Sequence, residues 1–118
     1  MNKLRVGVIG IGKLGSVHTR VYNDLDKVEL AGICDIDTQK LNQITEQFKV
    51  STFSDHKELI KKVDAVSIAV PTSKHYQIAK DFISHGIHVL IEKPITNDLR
   101  EAQELIELSK KNKNPLHA

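Results

Sequence analysis

The sequence predicts an α/β fold, a doubly wound parallel sheet in a single domain, and three observations carry that prediction. Apolar runs and helix-spaced patterns alternate five times along the chain, the order that lays parallel strands beneath helices on both faces. Several of the runs are β-branched without polar alternation, as strands covered on both sides require. The third observation is a glycine-spaced turn, Gly10-Ile11-Gly12-Lys13-Leu14-Gly15, lodged between the first apolar run and the first helical pattern.

Leu4 to Ile9 predicts the opening strand. Beyond the turn, Leu14, Val17, Val21, Tyr22 and Leu25 recur at helical spacing and predict an apolar stripe that lies on the sheet. His18 falls on that stripe and is expected to pack there. Val28 to Cys34 predicts the second strand, and Asp37 is placed to cap a helix from Thr38 to Phe48 with Leu41, Ile44 and Phe48 on one face. After a short strand, Ser51 to Phe53, Asp55 followed by Glu58 resembles a capping pair that opens a third helix through Leu59 and Ile60. Ala65 to Val70 predicts the fourth strand. Ser73 can cap a fourth helix carrying Tyr76, Ala79 and Phe82, ended by Gly86 in the left-handed conformation. Ile87 to Ile91 predicts the fifth strand. In the last helix Leu99, Ala102, Ile106 and Ser109 form one stripe, widened by Leu105 and Leu108. Asn112 to Ala118 reads as a turn and the first residues of a sixth strand, which a sheet of order 3-2-1-4-5-6 places at its edge. Residues 1–118 therefore read as a first domain cut from something longer, its sixth strand truncated.

Composition bounds the function. A chain of 118 residues buries roughly 65% of its unfolded surface and folds without staples. Seventeen basic and fifteen acidic side chains leave a net charge of only +2, spread along the chain, which is no nucleic-acid footprint. The single cysteine, Cys34, cannot pair within the chain and reads as a small core residue in a reducing compartment. With no signal-peptide stretch and no 18-residue apolar span, the expectation is a soluble cytoplasmic protein without membrane contact. His85 and His88 flank Gly86 but lack the further ligands that zinc needs, so no metal site is expected.

The glycine turn carries the chemistry. In G-x-G-x-x-G between a strand and a helix, each glycine answers a separate steric demand. Gly10 makes the tight turn, Gly12 lets the backbone approach a dinucleotide pyrophosphate, and Gly15 lets helix and strand pack closely. The amides opening the helix near Lys13 and Leu14, at its positive dipole end, complement the diphosphate. Lys13 can add charge, although an exposed lysine there also simply points to solvent. Asp35, twenty positions past Gly15 at the end of the second strand, is placed to accept from the adenosine ribose hydroxyls and to repel a 2′-phosphate. That favours NAD over NADP. Asp37 deepens the negative field if it does not act only as a helix cap, while Lys40, one turn into that helix, is a cation that partly accommodates NADP.

Ligands of such sheets sit at the carboxyl ends of the strands, which directs attention to Val70-Pro71-Thr72-Ser73-Lys74-His75 and Glu92-Lys93-Pro94. With the amino-terminal G-x-G-x-x-G, the V-P-T-x-x-H and E-K-P stretches resemble the Gfo/Idh/MocA family of NAD(P)-dependent oxidoreductases along the whole chain. Val66 to Thr72, His75-Tyr76 and Ile91 to Thr96 are most similar to its nucleotide-sugar branch, which oxidises UDP-N-acetylglucosamine at C3. The resemblance implies a Rossmann domain that binds a nicotinamide dinucleotide, with a sugar or nucleotide-sugar hydroxyl as hydride donor or acceptor in the intact protein. It places Lys93 at the reacting hydroxyl and cofactor, His75 in the crevice, Glu92 beside Lys93 or the nicotinamide ribose, and Val70, Pro71 and Thr72 along the nicotinamide half. Pro94 restricts Lys93 to an extended backbone, and a desolvated lysine can shuttle the hydroxyl proton. His75, in the first turn of a helix, can also be merely solvated.

The chain departs from the family in length. The carboxyl-terminal domain with its substrate pocket is absent, so these residues alone are expected to bind the dinucleotide without turnover. Family homo-oligomers form largely through that missing sheet. A stand-alone NAD-sensing module is the alternative. A methyltransferase using S-adenosylmethionine is disfavoured, because the glycine spacing and E-K-P serve a diphosphate and a nicotinamide ring.

Overall fold

The computed structural model describes residues 3–91, 98–112 and 116–117; the side chains of Lys13, Leu14, Thr72, Leu116 and His117 lie outside that description. Strand β1 (Leu4–Ile9) leads through the glycine turn into helix α1 (Lys13–Asp24). Then follow β2 (Val28–Cys34), α2 (Thr38–Thr45) and β3 (Thr52–Phe53). A short 3-10 helix, His56–Leu59, crosses to β4 (Ala65–Ile68), and a second, Thr72–Lys74, runs into α3 (His75–Ser84). Strand β5 (His88–Ile91), helix α4 (Leu99–Lys111) and β6 (Leu116–His117) complete the order.

All strand pairs are parallel, and they form one sheet in the order β3-β2-β1-β4-β5-β6. From β1 the chain winds outward to β3, then crosses back to β4 and winds the other way, so the direction reverses between β1 and β4. Loops leaving the two strands there must diverge, and a crevice opens at their carboxyl ends.

Each face of the sheet carries its own apolar layer. Val8 and Ile33 pack with Ile11, Leu41 and Ile44 on the side of α2. Ile68, Ile91, Phe82, Ile83, Leu105 and Leu59 fill the layer under α3, α4 and the first 3-10 helix. Arg5 and Asp64 tie the amino ends of β1 and β4 together. The Arg5 amide donates to Asp64 Oδ2 at 2.9 Å and its guanidinium to Oδ1 at 3.0 Å, which holds the Asp64 carboxyl below the usual carboxylate range.

The predicted fold class stands, and β1 and β2 have the predicted bounds. Strand β4 stops at Ile68 and α2 at Thr45, short of the predicted Val70 and Phe48, and β3 and β5 each start one residue later than predicted; four further details differ. Of the stripe expected to lie on the sheet in α1, Tyr22 packs against the core but Val17 and Val21, each 50% exposed, and Leu25 face outward, while Gly15 and Thr19 are buried. The helix backbone lies so close to the glycine turn that only small residues fit between them, and Thr19 Oγ1 is satisfied by donating to Gly15 O at 2.8 Å. The expected third helix is only the four-residue 3-10 turn, with Asp55 capping it by accepting from the Lys57 amide, since the chain must reach β4 at Ala65. Ser73 does not cap the fourth helix; it lies inside the second 3-10 turn, and α3 begins at His75. In α4 the buried side is Leu105 and Ser109, while Leu99 is 76% exposed. Gly86 does end α3 with φ +78°.

Candidate functional site

The glycine turn takes the shape its spacing predicts. Gly10 has φ +91°, and an added Cβ would stand 2.8 Å from the Ala69 carbonyl oxygen, so this position excludes a side chain by conformation and by the proximity of the β4 loop. A Cβ on Gly15 would stand 1.7 Å from Gly10 O, which makes Gly15 the residue that seats α1 against the turn. Gly12 is the opposite case: a Cβ there would meet nothing within 4 Å. It caps α1 without any side-chain hydrogen bond to the first-turn amides. The turn therefore presents bare backbone donors at the positive end of a twelve-residue helix.

Asp35 stands opposite, half-buried at the end of β2. Its Oδ2 accepts from the Ile11 amide at 2.9 Å and its Oδ1 from the Asp37 amide at 2.8 Å. The carboxylate thus pins the glycine turn to the loop before α2, and each oxygen keeps a lone pair for a further donor. Asp37 itself caps α2, its Oδ1 accepting from the Gln39 and Lys40 amides.

Between these loops lies a cleft of about 1170 Å³, larger than the few hundred to a thousand that most small-ligand sites occupy. Gly10, Gly12 and Asp35 line it, with Val70 and Pro71 after β4, and Ile36, Asp37 and Lys40 after β2. Its far end is walled by Ser54, Asp55 and His56 after β3 and by Gln77 and Ile78 of α3. Cys34 touches its floor, but burial, then the negative Asp35, pushes the thiol up to about 12. The site observation that fits a dinucleotide is this open cradle at Gly12, with a carboxylate across from it.

Of the remaining predicted residues, Ile11 contributes its amide while its side chain is 4% exposed in the core beside α2. His75 is 2% exposed and does not line the cleft; its Nε2 lies 2.8 Å from the Val70 carbonyl oxygen, beneath the β4 loop. The side chains of Lys13, Leu14 and Thr72 are not described, and Glu92 and Lys93 lie outside the described residues. His18 packs as expected, its Nδ1 2.6 Å from Ser67 Oγ on β4 and its ring edge-on to Tyr22. Among the described residues no group of three or more His, Cys, Asp or Glu side chains could hold a metal ion, and no helix is long and apolar enough to cross a membrane. Sequence reasoning missed His56 and its partner Asp81. They lie 25 positions apart and meet at 2.7 Å only because the chain crosses under α3; no local spacing announces them.

A cleft at the switch point, with a side-chain-free helix start on one side and an acid at the end of β2 on the other, is the arrangement of a Rossmann-type α/β domain. The profile described as the oxidoreductase family with an NAD-binding Rossmann fold, Gfo/Idh/MocA, matches residues 4–118, and the chain belongs to this family. It is 38% identical over 109 residues to the UDP-N-acetylglucosamine 3-dehydrogenase of Acidithiobacillus ferrooxidans, covering 92% of this chain and 34% of that protein. The crystal form P212121 of that enzyme superposes with a TM-score of 0.92 at 36% identity, covering 99% of this chain and 38% of that one. The myo-inositol 2-dehydrogenase of Thermotoga maritima is 32% identical, over 92% of this chain and 33% of that protein. GenD2 from gentamicin A biosynthesis, solved in complex with NAD, superposes with a TM-score of 0.93 at 27% identity, over 99% of this chain and 34% of that one. The chain thus spans about a third of the length of the curated relatives it matches.

Proposed function

We propose that this chain is the dinucleotide-binding domain of an oxidoreductase that transfers hydride between a sugar or nucleotide-sugar hydroxyl and NAD. The observation that carries the reading is the side-chain-free Gly12 at the start of α1, open to the same cleft as the Asp35 carboxylate. The nicotinamide ring, when bound, supplies the hydride-accepting carbon. The first amides of α1 hold the diphosphate. Asp35 accepts from the adenosine ribose hydroxyls with the lone pairs its two backbone donors leave over, and it repels a 2′-phosphate. Lys40, on the same wall, offsets part of that repulsion, so NAD is preferred and NADP is a weaker ligand.

Val70, Pro71 and Thr72 line the nicotinamide half, and His75 is a positioning residue that holds the Val70 carbonyl from below. Lys93 takes the hydroxyl proton as hydride departs, Glu92 orients it, and Pro94 follows it in the family stretch. These roles rest on the likeness of Glu92-Lys93-Pro94 to the family stretch. The similarity to a UDP-N-acetylglucosamine 3-dehydrogenase favours a nucleotide-sugar substrate, with the walls that choose it in the additional length of the relatives. On this reading the 118 residues bind NAD but do not turn a sugar over. Calorimetric titration of NAD and NADP into the protein and its Asp35→Ala variant tests the proposal. The expected outcome is NAD preference in the parent, with weaker NAD binding and relaxed discrimination in the variant. Unchanged selectivity refutes the role of Asp35, and binding of neither dinucleotide refutes the proposal as a whole.

A further inference from the structure

We infer that His56, oriented by Asp81, reads the exocyclic amine of the adenine and makes the site selective for a 6-aminopurine dinucleotide; the inference rests on the dinucleotide reading above. With the diphosphate at Gly12 and the ribose at Asp35, the base is directed to the far end of the cleft, beyond the carboxyl end of β3. Ile36, 78% exposed, and Ile78 offer apolar surface there for the faces of a ring. The edge of that ring meets a polar wall.

His56 Nε2 lies 2.7 Å from Asp81 Oδ2, and the two side chains are only 18% and 20% exposed. A carboxylate only accepts, so Nε2 carries the proton, and in the neutral imidazole Nδ1 keeps a lone pair. Nδ1 is 3.9 Å from Asp55 Oδ1, beyond hydrogen-bond distance. The ring is braced by Phe82, 5.7 Å between centroids. Gln77 Nε2 donates to the other oxygen of Asp81 at 3.2 Å, which leaves Gln77 Oε1 as an acceptor. The end of the cleft therefore presents acceptors: His56 Nδ1, Gln77 Oε1 and the Asp55 carboxylate. Adenine brings two N–H groups on its exocyclic nitrogen to such a wall. Hypoxanthine brings a carbonyl oxygen, which these acceptors repel.

The test compares NAD with nicotinamide hypoxanthine dinucleotide by calorimetry at pH 8.5. One made or mismatched buried hydrogen bond predicts about tenfold preference for NAD in the parent. In His56→Ala, and in His56→Leu, which restores bulk against Phe82, the ratio falls to about threefold, the part that Gln77 and Asp55 sustain. Asp81→Asn is nearly isosteric and gives a readout that packing alone does not move. Its amide oxygen accepts from Gln77, its amide nitrogen donates to His56 Nε2, and the histidine proton is driven to Nδ1. The preference then shifts toward the hypoxanthine dinucleotide. Equal binding of both dinucleotides by the parent, or a ratio that none of the variants alters, overturns the inference while leaving the NAD reading standing. Binding of neither dinucleotide by the parent overturns both.

Discussion

Replacing Gly12 with alanine separates the two duties of the glycine turn, because this position is open where its neighbours are not. Gly12 has φ −67° and ψ −159°, a backbone that alanine adopts without left-handed strain. Its new Cβ meets nothing within 4 Å. Stability should therefore hold or rise by up to about 1 kcal/mol, the usual gain when an unstrained glycine loses unfolded-state freedom. Binding should suffer, since the methyl group occupies the approach of the diphosphate to the first amides of α1. Losing one or two charge-assisted hydrogen bonds there costs about 1.5–3 kcal/mol, roughly a 10- to 150-fold rise in the NAD dissociation constant. Gly15→Ala is the control, with its Cβ 1.7 Å from a backbone oxygen. It cannot be accommodated without shifting the turn, so it lowers stability by about 1–3 kcal/mol or more. Urea unfolding and calorimetric titration of both variants give the two readouts. NAD affinity unchanged in Gly12→Ala would show that the diphosphate lies elsewhere and refute the assignment.

Three further outcomes follow from the packing and the charges. Cys34, 4% exposed and with its thiol pushed up to about 12, should react with an aromatic disulfide reagent at pH 8 far more slowly in the native protein than in urea; comparable rates would contradict its burial. Leu105→Ala should lower stability by about 2–5 kcal/mol, and Leu99→Ala by less than about 0.5 kcal/mol, as measured by urea unfolding of a helix whose buried side is Leu105 rather than Leu99. Arg5 holds the Asp64 carboxyl below its ordinary value, so the stability this carboxylate adds is fully present above its unfolded-state pKa and is lost as pH falls through the lower folded-state value. The stability gap between the parent and Asp64→Asn should therefore close on acidification, and a gap that persists in acid would assign the difference to something other than that charge.

The sheet was legible because its strands, buried on both faces, are written as uninterrupted apolar runs; β1 and β2 were placed to the residue. Helix phase was harder to read. In α1 the fully buried residues with described side chains are Gly15 and Thr19, chosen by close approach rather than by hydrophobicity, and the more conspicuous Val17 and Val21 look outward. The 3-10 turn at His56 has a true cap in Asp55, so the local signal was sound, but the short span to β4 allowed only one turn. At the site, Gly10, Gly12, Gly15 and Asp35 were named from spacing alone, since each is fixed by local backbone geometry. The double duty of Asp35, holding Ile11 and Asp37 amides, and the meeting of His56 with Asp81 are tertiary facts, made by loops that the sequence does not bring together.

A crystal structure of this protein grown with excess NAD tests the central claim most directly. The account predicts the diphosphate against the backbone of Gly12 and the first turn of α1, with both adenosine ribose hydroxyls on Asp35. A dinucleotide bound away from that turn, or a ribose with no contact to Asp35, would contradict it.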